Sequence, residues 1–538
     1  MLVPLALGLA LAACTKAPDP SSPPKPKTTD VTPAASLQAV SAIGTHEERG
    51  IAWQKGDVDA AFAKARAEDK PLFLYWGAVW CPPCNQVKAT IFNRQDFVER
   101  SRLFVPVYID GDSPSAQRLG ARFKVSGYPT MILFKPDGNE ITRLPGEADA
   151  EQYIRVLSMG INGARPVKET LRAALDTSAA AKLSLDDWRM LAYYSWDTDE
   201  QQVVPKDRIP ATLRRLAQSC PAEQRETAAR LEMKALAAAA SAKGAKARDY
   251  KPADEHVINV LGDPQFARAN FDVVVYSVGE IAGYITLPKS AERARLTAAW
   301  NGALDLLIAD RTLSTADRLA ALGAKIELAK LDAPKAPLPD TLLKNVRDQV
   351  ASADRETTDG YARQSVISAA ADVLVQAGLM DESDTLLKSE LTRSHSPYYF
   401  MLGLASNAKK RGDKAVALDW EEKAYSAADG PATRLQWGAH YVNALVDLAP
   451  QDSARIEKAA QNVIGELDPA PDTFYARNGR SLERMGKKLV SWNKDRQHEA
   501  TLNRIRTQMA LVCAKLPAAD PARSTCNAVL NTASVSKA

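Results

Sequence analysis

The stretch Trp80-Cys81-Pro82-Pro83-Cys84 constrains this 538-residue chain more than any other. It follows an apolar run, Pro71-Leu72-Phe73-Leu74-Tyr75-Trp76-Gly77-Ala78-Val79, and opens a helical pattern, Asn85-Gln86-Val87-Lys88-Ala89-Thr90-Ile91-Phe92. A strand feeding a helix at this point places both sulfurs at a helix N-terminus. There the unpaired N–H groups and the positive end of the helix dipole favour thiolate over thiol, and the thiolate is the nucleophile of disulfide exchange. The two-residue spacer lets the second cysteine attack a mixed disulfide made by the first. A lone Cys-x-x-C also fits half of a zinc site. No second such pair and no His pair follows at zinc-knuckle spacing, so no metal is expected.

Beyond Cys84, Gly127-Tyr128-Pro129-Thr130, whose proline lies 45 residues after that cysteine, leads into the strand-like Met131-Ile132-Leu133-Phe134, a turn at Pro136-Asp137-Gly138-Asn139, and a second short strand, Glu140-Ile141-Thr142-Arg143. A proline that opens a strand is a candidate cis-proline. With both elements present, residues 49–163 resemble the thioredoxin family, in which W-C-x-x-C and a later cis-proline loop lie side by side. Ile51-Ala52-Trp53 and Lys70-Pro71 look most like the exported subgroup that includes the C-terminal domain of the DsbD-type transmembrane reductases. The resemblance implies an α/β domain with a mixed sheet covered by helices on both faces. It also implies roles: Cys81 as the more exposed, attacking thiolate, Cys84 as the resolving thiol, Pro129 and Tyr128 lining a groove for the substrate backbone, and Trp80 as its rim. Protein disulfides or dithiols would be the substrates, a membrane or periplasmic redox protein the partner, and no small-molecule cofactor is implied. In one respect the sequence departs from many thioredoxins and from the DsbD-type domains, which carry a buried acid six residues before the first motif cysteine, where this chain has Tyr75. By sequence proximity alone, Glu68, Asp96 and Asp110 are candidate substitutes for it.

The first 13 residues are apolar and too few to span a bilayer as a mature helix, and they read as a signal-peptide core. Leu11-Ala12-Ala13-Cys14 resembles the bacterial lipobox, which implies lipidation of Cys14; an ordinary secretory signal is the alternative. Either way the chain is exported to a compartment that permits disulfides. Thr15 in place of Asp favours the outer over the inner membrane, by resemblance to bacterial lipoproteins. Residues 14–48, with Pro18, Pro20, Pro23, Pro24, Pro26 and Pro33, read as a semi-extended tether to the membrane of the periplasm.

Residues 164–538 are rich in alanine and poor in glycine, a composition that favours helix, and they read as helix after helix. Ser184-Leu185-Asp186-Asp187-Trp188 and Leu313-Ser314-Thr315-Ala316-Asp317 are helix starts, since serine caps and acids suit the first turn. Gly378 and Gly412 lie 34 residues apart, the period of tetratricopeptide hairpins. Tyr398-Tyr399-Phe400, Ala405, Gly412-Asp413, Ala417-Leu418 and Lys423-Ala424-Tyr425 resemble that repeat, which places TPR-like hairpins over about 360–467; a plain helical domain is the alternative. Cys513 and Cys526 flank a turn at Pro517 to Pro521 and are the natural structural disulfide, leaving Cys220 single and expected to be buried.

The net charge of +4 is small for this length and no basic stretch is interleaved with aromatics, so nucleic acid is not an expected partner. The five histidines, at 46, 256, 395, 440 and 498, show no metal-ligand spacing. The reading that results is an exported, lipid-anchored protein disulfide oxidoreductase with a thioredoxin-like unit and a large helical region, the reductase direction favoured. Its rival is a helical scaffold that binds proteins and whose thioredoxin-like unit positions or senses without turning over.

Overall fold

A computed structural model of the chain describes residues 50–531, apart from 114, 126, 145, 147–148, 164, 181, 200–201, 246–250 and 468–469. The expected signal peptide, Cys14 and the tether lie outside the described residues. Five strands, β1 (Gln54–Lys55), β2 (Leu72–Gly77), β3 (Val105–Asp110), β4 (Thr130–Phe134) and β5 (Glu140–Leu144), form one sheet in the order β1-β3-β2-β4-β5. β3 runs parallel to β1 and β2, while β4 is antiparallel to both β2 and β5. Five helices accompany them: α1 (Val58–Glu68), α2 (Pro82–Val87), α3 (Gln95–Arg100), α4 (Ala116–Arg122) and α5 (Ala150–Ile161).

β2 is the central strand, and its side chains are buried on both faces. Alternation along it assigns the faces. Leu72, Leu74 and Trp76 join Val105, Val107, Ile132 and Phe134 under α1, whereas Phe73 and Tyr75 join Met131, Leu133 and the α5 residues Tyr153 and Leu157. Asp57 caps α1 and Asp149 caps α5, each side chain accepting from first-turn N–H groups that otherwise lack partners.

From Val167 to Ala528 the regular elements among the described residues are all helical. Ser184 and Asp187 form a reciprocal capping box, and Ser314 caps the helix Thr315–Lys330. Gly378 and Gly412, at φ +85° and +88°, each follow a helix in the left-handed conformation that glycine adopts without strain. The core under α5 does not stop at residue 163. It continues through Trp188, Leu191, Leu213, Leu216 and Leu231, so one apolar cluster ties the sheet to the first helices beyond it. Two further clusters follow, one spanning Ala229 to Leu404 and one spanning Leu418 to Leu530. Cys513 and Cys526, both buried in the last, are joined as a disulfide. Cys220 is a free thiol and, contrary to expectation, only half-buried, because it lies just past the end of the helix Ile209–Ser219.

Candidate active site

Cys81 is the residue before the first turn of α2, and Pro82 and Pro83 fill the first two helical positions. Proline suits that turn because the N–H it lacks would have no partner within the helix. With two donors missing, the first helical N–H is that of Cys84, and it points at Cys81 Sγ, 3.2 Å away. The two cysteines are joined as a disulfide with Cα atoms 5.2 Å apart. Asn85 is fully buried and donates through Nδ2 to the carbonyls of Val79 at 2.8 Å and Cys81 at 2.9 Å, which fixes the strand-to-helix turn. Nothing in the sequence but its place after Cys84 signals that role.

The Tyr128–Pro129 peptide is cis. Tyr128 packs against the cluster that holds Trp80, Cys81 and Cys84, its ring 6.3 Å from Trp80 and edge-on to it. The fold therefore brings together Trp80, Cys81, Cys84 and Tyr128, with Pro129 directly following. Cys14 is outside the described residues, and Cys513 and Cys526 belong to the distant C-terminal core.

Neither motif sulfur is open to solvent, Cys81 being only slightly the more exposed of the two. Cys81 is 2% exposed, Cys84 0% and Trp80 9%. The cause is the helical region, which packs directly on the motif. Trp80 stacks on Tyr399 at 6.0 Å and meets Trp437 edge-on at 4.7 Å, while Tyr398, Ala424 and Ala428 complete the same cluster. Hydrogen bonds accompany the rings. Trp80 Nε1 donates to Thr433 Oγ1 at 3.0 Å, Gln364 Nε2 donates to the Trp80 carbonyl at 3.2 Å, and a His395 ring nitrogen meets the Val79 carbonyl at 3.1 Å. Gln86 of α2 donates to Asp317 at 2.7 Å and Ser314 at 3.1 Å.

Asp112, in the turn after β3, accepts from Thr433 twice: from the backbone N–H at 2.7 Å and from the hydroxyl at 2.6 Å. Burial pushes its carboxyl up to about 6, against the Thr433 hydrogen bonds that favour the charged form. Gly430 makes this approach possible, since a Cβ there would lie 2.5 Å from Asp112 Cγ. Arg477 places its guanidinium 4.7 Å over the Tyr128 ring and 5.7 Å over Trp80, and burial holds it below the ordinary arginine range. A cavity of about 340 Å³ lies along α2 at Pro82, Pro83 and Gln86, its far wall made by the helices Thr315–Lys330 and Gly360–Gln376.

Tyr75 fills the position of the family's acid with a fully buried ring, stacked on Tyr108 at 5.3 Å and edge-on to Phe92 at 4.8 Å. Of the three candidate substitutes, Glu68 pairs with Lys70 and Asp96 with Arg94, both at the surface. Asp110 alone lies on a strand beside β2, in register with Gly77.

Residues 58–160 match the family model described as Thioredoxin-like domain. Thiol:disulfide interchange protein DsbD 2 of Pseudomonas aeruginosa is 27% identical over 150 residues, covering 27% of this chain and 25% of that protein. Thiol:disulfide interchange protein DsbD of Yersinia pestis is 33% identical over 98 residues, 17% of this chain and 16% of that one. A solved thioredoxin from Thermus thermophilus is 25% identical, with 20% of this chain and 85% of that chain covered at a TM-score of 0.19. The chain thus spans about a quarter or less of the length of these curated relatives. What the fold and the comparisons establish together is a thioredoxin-like α/β domain that carries a Cys81–Cys84 pair and is followed by a large all-helical region.

Proposed function

We infer that the chain is an exported, lipid-anchored thiol–disulfide oxidoreductase acting on protein substrates. The observation that carries this reading is the Cys81–Cys84 disulfide at the start of α2, with the Cys84 N–H directed at Cys81 Sγ. In the reducing direction the Cys81 thiolate attacks a substrate disulfide, forms a mixed disulfide and expels one substrate thiolate. Cys84, as thiolate, then attacks Cys81 Sγ and releases the second substrate thiolate, leaving Cys81–Cys84 oxidised. An external dithiol must return the pair to its reduced state. Tyr128 and Pro129 would hold the substrate backbone, with Trp80 beside them. The names of the relatives from Pseudomonas aeruginosa and Yersinia pestis, thiol:disulfide interchange proteins, support exchange chemistry. Leu11-Ala12-Ala13-Cys14 supports export and anchoring through Cys14.

A second reading, a helical scaffold whose thioredoxin-like unit senses or positions, is favoured by the burial of Cys81. Insulin reduction by the full chain with excess dithiothreitol separates the two. Turnover above the dithiothreitol background, abolished in Cys81→Ala and Cys84→Ser, is expected of the enzyme. Background rates in the native chain and in both variants would leave the scaffold reading.

A further inference from the structure

We propose that the helical region is a built-in cover of the redox site, and that exchange at Cys81 requires the segment from Pro397 to Leu448 to lift off Trp80. This rests on the reading of Cys81–Cys84 as the exchange pair. The geometry of exchange supplies the first argument. An incoming thiolate approaches the attacked sulfur along the S–S axis, opposite the leaving sulfur, so the outer side of Cys81 must be open. In the structure Cys81 is 2% exposed, and Tyr398, Ala424, Ala428 and Trp437 share its apolar cluster.

The second argument is the nature of the contact. Core packing alone would need only apolar surface. Here Trp80 and Asp112 are bonded to Thr433 within the covering segment, and Trp80 and Val79 are bonded to Gln364 and His395 ahead of it in the chain. Thr433 is the centre of the contact. Its hydroxyl accepts from Trp80 and donates to Asp112, and its backbone N–H donates to Asp112 as well. One residue thereby joins the motif, the turn after β3 and the helix Pro431–Leu448. Gly430, one turn earlier, leaves the space that Asp112 needs. A substrate that docks beside Pro129 must take the place of these groups. Lifting the cover would expose the rings of Trp80 and Tyr128 on one side and those of Tyr399 and Trp437 on the other, aromatic surfaces suited to an extended polypeptide.

The test follows reduction of the Cys81–Cys84 disulfide in the oxidised full chain by dithiothreitol, quenched by alkylation and assigned by peptide mass. One dithiothreitol thiolate attacks Cys81 Sγ, Cys84 leaves as thiolate, and the second dithiothreitol thiol closes its own ring to release Cys81. The native chain is expected to react at least a hundredfold more slowly than an oxidised synthetic peptide of residues 78–86, with a rate that levels off at high dithiothreitol. Thr433→Val and Gly430→Ala are each expected to raise the native rate about tenfold. A native rate within threefold of the peptide overturns the cover outright, and requires no variant. Variants that fold and react at the slow native rate overturn the assignment of the cover to Thr433 and its neighbours. Because the readout is access to sulfur, it is independent of insulin turnover. Slow reduction with no turnover in any form would defeat the proposed function and leave the cover in place.

Discussion

Trp80 donates its indole N–H to the hydroxyl of Thr433 at 3.0 Å, across 353 residues of sequence. The same ring stacks on Tyr399 and abuts Trp437, so two kinds of interaction meet at one side chain. Substitution separates them. Trp80→Phe keeps a ring in place and removes the donor, a loss of about 1 kcal/mol. Trp80→Ala removes the ring too and leaves a cavity, a loss of about 3–5 kcal/mol. Thermal unfolding midpoints should fall in the order native, Phe, Ala, and equal midpoints for the two variants would remove ring packing from the account.

Asp112 gives the contact a pH dependence with a definite sign. Its carboxyl is raised from 3.8 to about 6, chiefly by burial, with Asp110 adding like charge and Thr433 opposing. A carboxyl that holds its proton more tightly in the folded chain than in water stabilises the fold fully below its ordinary value. That contribution, up to about 3 kcal/mol, is lost as pH rises through about 6. Asp317, Glu327 and Asp372 are also raised by burial, so the native profile sums several groups. The difference between native and Asp112→Asn midpoints, measured from pH 4 to pH 7, isolates one of them. It should change with pH between about 4 and 6 and be flat above. A flat difference throughout would place the Asp112 proton outside this linkage.

The two motif cysteines should differ in the reduced protein. Cys84 is fully buried, and its backbone N–H is directed at Cys81 Sγ, a donor that favours negative charge on Cys81. Alkylation at mildly acidic pH should therefore label Cys81 before Cys84. Cys220 provides an internal comparison, since burial pushes its thiol up to about 11 and leaves little thiolate at that pH. Labelling of Cys84 ahead of Cys81 would reverse the assigned roles.

The thioredoxin-like part of this architecture was legible because its signals are local. An apolar run before Cys81, a two-residue spacer, and a proline at the head of β4 are written within a few residues of the atoms they position. Ser184 and Ser314 announced their helices for the same reason, since a cap acts on donors two or three residues away. The cover was not legible. Thr433 and Gln364 sit in ordinary helical sequence, and their meaning comes from Trp80, which only the tertiary fold brings to them. Trp437 illustrates the boundary: its helical spacing marks it as buried, but no pattern says that it is buried against a redox motif. Arg477 is similar, a cation in an amphipathic helix until the fold lays it over Tyr128.

The C-terminal disulfide offers a separate handle on how the helical region is held. Cys513 and Cys526 join the helices Glu499–Ala514 and Pro521–Ala528 across 13 residues. Closing a loop of that size removes conformational freedom from the unfolded chain worth about 3 kcal/mol. The second helix is capped by Asp520, which pairs with Arg118 of α4 at 3.0 Å and accepts from Tyr475 at 3.0 Å. The disulfide thus anchors the C-terminal helices that grip the thioredoxin-like domain at α4 through Arg118. Replacing both cysteines by alanine should raise amide hydrogen exchange over the last three helices, residues 476–528, while β2 and β3 stay protected, because the strands have their own core. Thermal stability should fall by an amount consistent with the loop estimate, and the dithiothreitol rate at Cys81–Cys84 should rise far less than in Thr433→Val. Loss of protection in β2 and β3 to the same extent as in the C-terminal helices would mean that the two parts unfold as one, and that the disulfide holds the whole chain and not its last helices alone.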